Sequence, residues 1–315
     1  MMCSILHNLL EIMSKTFLHT YAPQLSLILI TLIWGSTFLI VQHALSASSP
    51  MFFVGCRFAA AAGIMMILSW KVLAGISRYD VIAGGCIGIM IAIGYGAQTI
   101  GLQTISSSES AFLTALYVPM VPILQLLIFK KVPKPMMWCA AAFAFIGLIL
   151  LTGNHSFSQI QLNAGQMITL FGAIAIAMEI ILIGYFAERV NTQCVTVIQL
   201  LIASLCAFVS MPMVGEMSIP HFSWTLFFTV TGLGFASALI QLTMNWAQRS
   251  VDPSQAAIIY AGEPVWAGVF GRLAGERLGA MALLGGLCVV FGVILSEMKW
   301  SRKKKPSKVA YEDHS

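Results

Sequence analysis

Apolar residues in this chain come in long runs, each followed by a short polar connection. About 20 helical residues are needed to cross a bilayer core about 30 Å thick. On that measure the runs mark ten spans, 23–42, 51–70, 81–102, 110–129, 136–153, 164–187, 194–214, 223–247, 254–274 and 279–298. The connections leave no room for an inserted soluble domain. Residues 1–22 differ: their apolar positions are interrupted by His7, Asn8 and Glu11, and they lack the basic start and continuous apolar centre of a signal peptide. Two readings stay open for them, an interfacial helix or a start codon assigned too early, with Met1, Met2 and Met13 as starts.

Composition narrows the class. Of the 315 residues 58% are hydrophobic and 9% charged, against about half and about a quarter in soluble domains. So few charges exclude a soluble enzyme, a nucleic-acid binder and a disordered chain. Seven cysteines, odd in number and without metal or disulfide spacing, read as small packing residues.

Charge also orients the spans. The side shared by both termini carries Lys15, Lys71, Arg78, Lys130, Lys131, Lys134, Arg189, Arg249 and the tail residues Lys299, Arg302, Lys303, Lys304, Lys305 and Lys308. The opposite side carries only Arg272 and Arg277. Lys and Arg in short loops stay cytoplasmic. Both termini are therefore expected on the cytoplasmic side, which requires an even number of spans. The tail is expected to face the anionic leaflet rather than nucleic acid.

A shift of 145 positions lays the fourth and fifth spans on the ninth and tenth. Pro119 meets Pro264, Gly147 meets Gly292, Gln103 meets Gln248, Ala111 meets Ala256, and Ile149-Leu150 meets Ile294-Leu295. Each repeat then holds five spans, so the second copy enters the membrane from the other side. Inverted repeats of this kind let secondary transporters expose one central site to each side in turn. The expected fold is an all-α membrane protein of ten transmembrane helices in two inverted five-helix repeats, 23–153 and 164–298. An N-terminal cytoplasmic segment, 1–22, and a basic tail, 299–315, flank them. The joint is the polar loop Asn154 to Asn163, whose Asn154-His155-Ser156 triplet is read as a chance glycosylation match.

The stretch Gln248–Glu297 resembles the second half of the EamA family of the drug/metabolite transporter superfamily. Glu263-Pro264-Val265, Gly275-Glu276-Arg277, Gly286 and Gly292 carry the likeness, and Leu32–Phe38 ("LIWGSTF") and Arg57–Ala61 ("RFAAA") resemble the first half. The matching turn of the first repeat departs from it, reading Lys130-Lys131-Val132-Pro133. The resemblance, over about 23–298, implies a ten-span inner-membrane carrier that exports small metabolites.

A charge near the bilayer centre costs about 2.5–3.5 kcal/mol on an insertion scale, so it needs a partner, a wet cavity or a function. Glu179 lies about fifteen residues into the sixth span, and under the shift it falls opposite Trp34. It reads either as a proton-coupling or cation-binding carboxyl, or as a neutral acid bonded to another helix. Glu263 lies midway along the ninth span, followed by Pro264, which cannot donate a backbone hydrogen bond and so frees a carbonyl near Tyr260. Tyr260, Glu263 and Trp266, at three-residue spacing, are expected to share a helix face. Its alternative is a kink with the acid bonded into the bundle.

Arg57 lies about 10 Å in from the outer boundary at 1.5 Å per residue. It either binds a substrate carboxylate, pairs with Glu179 or Glu263, or snorkels outward. Tyr95 and Gln98, and Gln241 and Asn245, can line a cavity or bond between helices. Trp34 can stack on a ligand or serve packing. Glycine pairs such as Gly84/Gly88, Gly94/Gly96, Gly232/Gly234, Gly271/Gly275 and Gly285/Gly286 read first as helix-packing positions. Glu276 and Arg277 sit at the short outer turn, where Arg272 can reach Glu276 at i+4, and they read as salt bridging or turn structure ahead of substrate contact.

Phosphate-loop, dinucleotide-loop and His-Glu-x-x-His patterns are missing, so no metal or cofactor is expected. The expected partners are a small-molecule substrate and the lipid bilayer, with no nucleic acid. A secondary transporter, an exporter of amino acids or related amphipathic compounds, is the first reading. A non-transporting membrane scaffold or sensor, and an intramembrane lipid-modifying enzyme, are the alternatives.

Overall fold

The computed structural model describes residues 2–105, 107–152, 163–273 and 280–298. Among these residues the regular secondary structure is helical, joined by short turns and irregular connections. In order the helices are α1 (Met2–Ala44), α2 (Pro50–Leu73), α3 (Arg78–Gly101), α4 (Ser107–Ala115), α5 (Tyr117–Phe129) and α6 (Pro135–Thr152). Then follow α7 (Ala164–Phe186), α8 (Thr192–Ser210), α9 (Trp224–Ala247), α10 (Pro253–Tyr260), α11 (Gly262–Leu273) and α12 (Ala280–Glu297). The Asn154-His155-Ser156 triplet, the Gly275-Glu276-Arg277 turn, the basic tail and the Arg272 side chain lie outside the described residues, and so do the Gly271/Gly275 packing contacts.

Among the described residues seven stretches are long and apolar enough to cross a membrane: Tyr21–Ala44, Pro50–Leu73, Arg78–Gly101, Ser110–Phe129, Ala164–Phe186, Thr192–Ser210 and Trp224–Ala247. Pro135–Gly147 and Leu284–Ser296 are shorter apolar helices. Large apolar side chains face outward all round the bundle, among them Ile67, Leu127 and Val209, each more than two-thirds exposed. In water such a surface drives association; against lipid it is the expected exterior. α1 runs through Pro23 without a break.

Local sequence sets the helix ends. Ser77 and Asp80 close a reciprocal capping box on α3, Asn163 and Gln166 do the same on α7, and Asp252 caps α10 ahead of Pro253. The Ser49 side chain makes no cap bond at the start of α2. Glu216, from the α8–α9 connection, supplies that function instead, accepting from the Met51 and Phe52 amides at 2.9 and 3.1 Å. At the other end of the bundle Asp80 accepts from the Asn191 amide at 2.8 Å, and Lys131 pairs with Asp252 at 3.6 Å.

The fourth and ninth predicted spans, 110–129 and 254–274, each carry a one-residue break in the helical hydrogen bonding at a residue that keeps right-handed helical dihedrals, and the fourth still runs as one apolar stretch, Ser110–Phe129. The breaks fall at Leu116, between α4 and α5, and at Ala261, between α10 and α11, 145 positions apart. Each break is followed three residues later by a proline, Pro119 or Pro264, whose ring nitrogen leaves the carbonyl four residues earlier without its helical donor. Each proline sits in the first turn of the second segment, where a missing N–H costs nothing.

The same spacing governs the packing of α6 on α12. A Cβ placed on Gly147 would lie 2.6 Å from the Gly285 carbonyl oxygen, and one on Gly292 would lie 2.8 Å from that of Ala140. Gly147 and Gly292 are 145 apart, as are Ala140 and Gly285, so the contact is reciprocal. Sequence number rises on one helix as it falls on the other, so the two helices are antiparallel. Elsewhere Gly84, Gly88, Gly94 and Gly234 touch neighbouring helices closely, whereas Gly232 faces open space.

Candidate functional site

The interior of the bundle holds an aromatic cluster and a hydrogen-bonded polar network. Trp34 of α1 stacks on Tyr95 of α3, with ring centroids 6.1 Å apart and planes 6° from parallel, and meets Tyr260 of α10 edge-on at 5.8 Å. Phe58 of α2 meets Tyr95 edge-on at 5.3 Å. The Arg57 guanidinium stands 5.4 Å from the Tyr95 ring centre and 5.6 Å from that of Phe58, within cation–π range. Its Nε donates to the Ser237 hydroxyl of α9 at 2.7 Å. Arg57 is thus held by a neutral hydroxyl and two rings rather than by either interior carboxyl.

The network spans α7, α8 and α9. Gln241 donates to Glu179 Oε1 at 2.8 Å and accepts from Gln199 at 2.7 Å. Asn245 donates to Thr196 and to the Gln199 side chain at 3.0 and 3.1 Å. All five residues are buried. Glu179 Oε2 has no hydrogen-bond partner. In water-poor surroundings an unpaired polar atom is costly, and the satisfied side of the network fixes the unsatisfied one in place.

Glu263 is more exposed energetically, though as deeply buried. Neither carboxyl oxygen has a hydrogen-bond partner, and the buried Tyr117 hydroxyl is also unpartnered. Tyr117 and Glu263 are neighbours, without meeting hydrogen-bond geometry. The Glu263 backbone lies against Gly35, the neighbour of Trp34 in α1, and Trp34 meets Tyr260 three residues before Glu263, so the aromatic cluster adjoins the α11 acid. Close approach of α1 fixes the position of α11: a Cβ on Gly35 would lie 2.6 Å from the Glu263 carbonyl oxygen and 2.9 Å from the Trp266 Cβ.

The site residues expected from sequence separate into three groups. Trp34, Arg57, Tyr95 and Tyr260 meet in the aromatic cluster, with Glu263 adjoining it. Glu179, Gln241 and Asn245 belong to the network. Gln98 bonds across to Thr114 of α4 at 3.0 Å, and half-buried Trp266 packs on Gly35. Tyr260 ends α10, and Glu263 and Trp266 follow in α11 across Ala261, which keeps right-handed helical dihedrals. Trp246, beside Asn245, faces a surface cavity of about 550 Å³ with Val72, Asn191 and Arg249.

Sequence reasoning missed Tyr117, Gln199, Thr196, Thr114, Phe58 and Ser237. One signal for Tyr117 was available: the 145-position shift lays Tyr117-Val118-Pro119 on Gly262-Glu263-Pro264, the turn that carries the acid. Among the described residues no cluster of His, Cys, Asp and Glu could hold a metal ion.

Known proteins place the chain. Residues 23–153 and 163–298 each match the EamA-like transporter family. An uncharacterized transporter of Archaeoglobus fulgidus is 28% identical over 280 residues, 87% of this chain and 85% of its own. The Escherichia coli protein named uncharacterized inner membrane transporter YedA is 24% identical over 84% of this chain and 87% of its own. YyaM of Bacillus subtilis, named an uncharacterized transporter, is 23% identical over 82% and 88%. A crystal structure with 15% sequence identity superposes with a TM-score of 0.70 over 87% of this chain and 98% of that one, a likeness of fold. With apolar helices long enough to cross a bilayer and two family matches covering most of its length, this membrane protein belongs to the EamA-like transporter family.

Proposed function

We propose that this chain is a proton-coupled secondary transporter that exports small metabolites, amino acids or related amphipathic compounds, by alternating access. Its two halves, 23–153 and 164–298, thread the inner membrane in opposite senses through ten spans, with both termini in the cytoplasm. The antiparallel, reciprocal packing of α6 and α12 supports the opposite threading. The breaks at Leu116 and Ala261, 145 positions apart, support the repeat. The ten-span count takes the paired segments α4 and α5, and α10 and α11, each as one crossing. The outward direction is the one the family resemblance implies.

The observation that carries the reading is the pair of buried carboxyls with unpartnered oxygens, Glu179 and Glu263, the second beside the aromatic cluster. Trp34, Arg57, Tyr95 and Tyr117 come from the first half, and Glu179, Gln241, Tyr260 and Glu263 from the second. A site built by both halves changes its access when the halves move against each other. Intramembrane carboxyls of this kind serve proton relays and substrate pathways. In this reading Trp34, Arg57, Tyr95, Tyr260 and Trp266 shape the substrate site, Gln98, Gln241 and Asn245 add polar contacts, and the two acids exchange protons for substrate.

Metabolites that accumulate in cells lacking the protein name the substrates to test. In proteoliposomes an imposed pH gradient is expected to drive their uptake, with Glu179→Gln and Glu263→Gln each abolishing the dependence. Gradient-driven uptake that survives both replacements rejects proton coupling by these acids.

A further inference from the structure

The cavity of about 550 Å³ beside Trp246 opens at the surface, where α2 ends, α8 begins and α9 ends. Among the described residues that line it, Arg249 is the only charged one. Other basic side chains at this end are engaged. Lys131 pairs with Asp252 at 3.6 Å, Arg189 donates to the Tyr79 hydroxyl at 3.2 Å, and Lys71 stands 5.6 Å from the Trp70 ring centre. Among the described residues the exposed Arg249 guanidinium has no ion pair and no hydrogen bond. Asn191 spends its side-chain oxygen on the Gln193 and Cys194 amides, at 3.0 and 3.2 Å, which leaves its NH2 group to donate. Gln193 and Thr243 add an amide and a hydroxyl to the lining. One cation with several uncharged donors is the complement of an anion rich in acceptor oxygens, such as a phosphate.

A second observation names the source of that anion. Phe235, Leu239, Leu242 and Trp246 follow at spacings of four, three and four, which puts them on one face of α9. Phe235, Leu239 and Trp246 are exposed, and Leu242 is half-buried. At 1.5 Å per residue this apolar stripe runs about 16 Å away from the cavity, about half the thickness of a bilayer core. That is the depth of one leaflet's acyl chains. Its cavity end is a tryptophan, the residue type that sits at headgroup level. A soluble anion would use the polar end alone, whereas a phospholipid uses both.

We propose that the cavity seats the headgroup phosphate of an anionic phospholipid, with Arg249 against the phosphate and one acyl chain along Leu242, Leu239 and Phe235. The inference goes beyond the transporter reading and stands without it. The orientation proposed above adds only that the lipid comes from the cytoplasmic leaflet, where basic pockets between helices hold anionic headgroups.

The test uses the full chain, purified and delipidated in detergent, with native mass spectrometry of bound dioleoyl phosphatidylglycerol. The protein is expected to hold this lipid about fivefold more tightly than dioleoyl phosphatidylcholine, whose net charge is zero. Arg249→Gln is expected to remove that preference, a loss of about fivefold for one cation at the membrane surface. Lys134→Gln makes the same charge change outside the cavity and is expected to lose nothing. Leu239→Asn, on the apolar stripe, is expected to weaken both lipids about threefold. Each variant is first checked for an unchanged melting temperature; should Arg249→Gln fail that check, Leu239→Asn carries the test in its place. Equal retention of the two lipids by the wild type, an equal loss in Lys134→Gln, or undiminished binding by the folded variant overturns the proposal. Displacement of the lipid by equimolar glycerol 1-phosphate or inorganic phosphate also overturns it, and makes the cavity a site for soluble anions.

Discussion

Glu179 and Glu263 are both inaccessible to solvent, yet their surroundings differ in kind. Glu179 projects from the unbroken helix α7, and its Oε1 ends a chain of amide hydrogen bonds that runs through Gln241, Gln199 and Asn245. Glu263 projects from the first turn of α11, immediately after a helix break, and nothing bonds to either of its oxygens. One acid is anchored on one side and free on the other; the second is free on both. A satisfied buried network rigidifies, whereas an unsatisfied one stores an unmet demand for a partner. The comparison assigns the α7–α9 side of the interior to positioning and the α10–α11 side to exchange with whatever enters.

The sharpest way to break this contrast is to move α11. Gly35 allows α1 to approach until its missing Cβ would overlap the Glu263 carbonyl oxygen and the Trp266 Cβ. Backbone cannot yield as a flexible side chain can. Gly35→Val is therefore expected to exceed the 1–3 kcal/mol or so of ordinary overpacking and to remove folded protein from detergent extracts. Gly232→Ala, where a Cβ meets open space, is the control and is expected to leave yield unchanged. Equal yields from the two variants would remove close α1–α11 contact as the fixture of Glu263.

The next effect in size belongs to the anchored side. Gln241→Leu leaves Glu179 Oε1 and the Gln199 amide without their partners. Each stranded polar group costs about 1–3 kcal/mol, so the thermal melt of the purified protein is expected to fall clearly. An unchanged melt would mean that the network is not holding Glu179. A smaller loss, about 1 kcal/mol, is expected for Glu216→Ala, which removes the only side-chain acceptor recorded for the α2 amides of Met51 and Phe52. Glu216→Gln retains an acceptor oxygen and is expected to recover part of the loss. Equal melts for wild type and Glu216→Ala would show that those amides find another partner.

These differences in environment were unevenly legible in the sequence. Helices were readable wherever apolar length alone defined them, as in α2, α3 and α7 to α9. The two breaks were half-legible. Pro264 pointed to a freed carbonyl near Tyr260, but the residues alone did not show that the hydrogen-bond ladder breaks at Ala261 while the backbone stays right-handed. Trp34 and Glu179 stand at repeat-related positions; Trp34 stacks on Tyr95, and Glu179 is bonded into the α7–α9 network. What could not be read was partnership. Arg57 near two acids invites an ion pair, yet Ser237 claims it, because helix rotation and the approach of α9 decide which polar atom arrives first. Gln199 gave no sign of its role, since a lone glutamine in an apolar run has no periodic signature until its partners on α7 and α9 are in place.

The smallest expected effect tests the free side of the comparison. Tyr117 is fully buried and its hydroxyl has no hydrogen-bond partner. Removing a buried hydroxyl that makes a hydrogen bond costs about 1 kcal/mol, and the same logic predicts no loss when the bond is absent. Tyr117→Phe is therefore expected to melt at the wild-type temperature or slightly above it, since it removes an unmet polar group and keeps the ring. Measured beside Gln241→Leu, it separates the two sides of the interior: a hydroxyl kept for a ligand is dispensable for folding, and an amide kept for Glu179 is not. A Tyr117→Phe melt depressed as far as that of Gln241→Leu would mean that Tyr117 is bonded to Glu263 in the resting protein. The α10–α11 side would then be as firmly anchored as its counterpart.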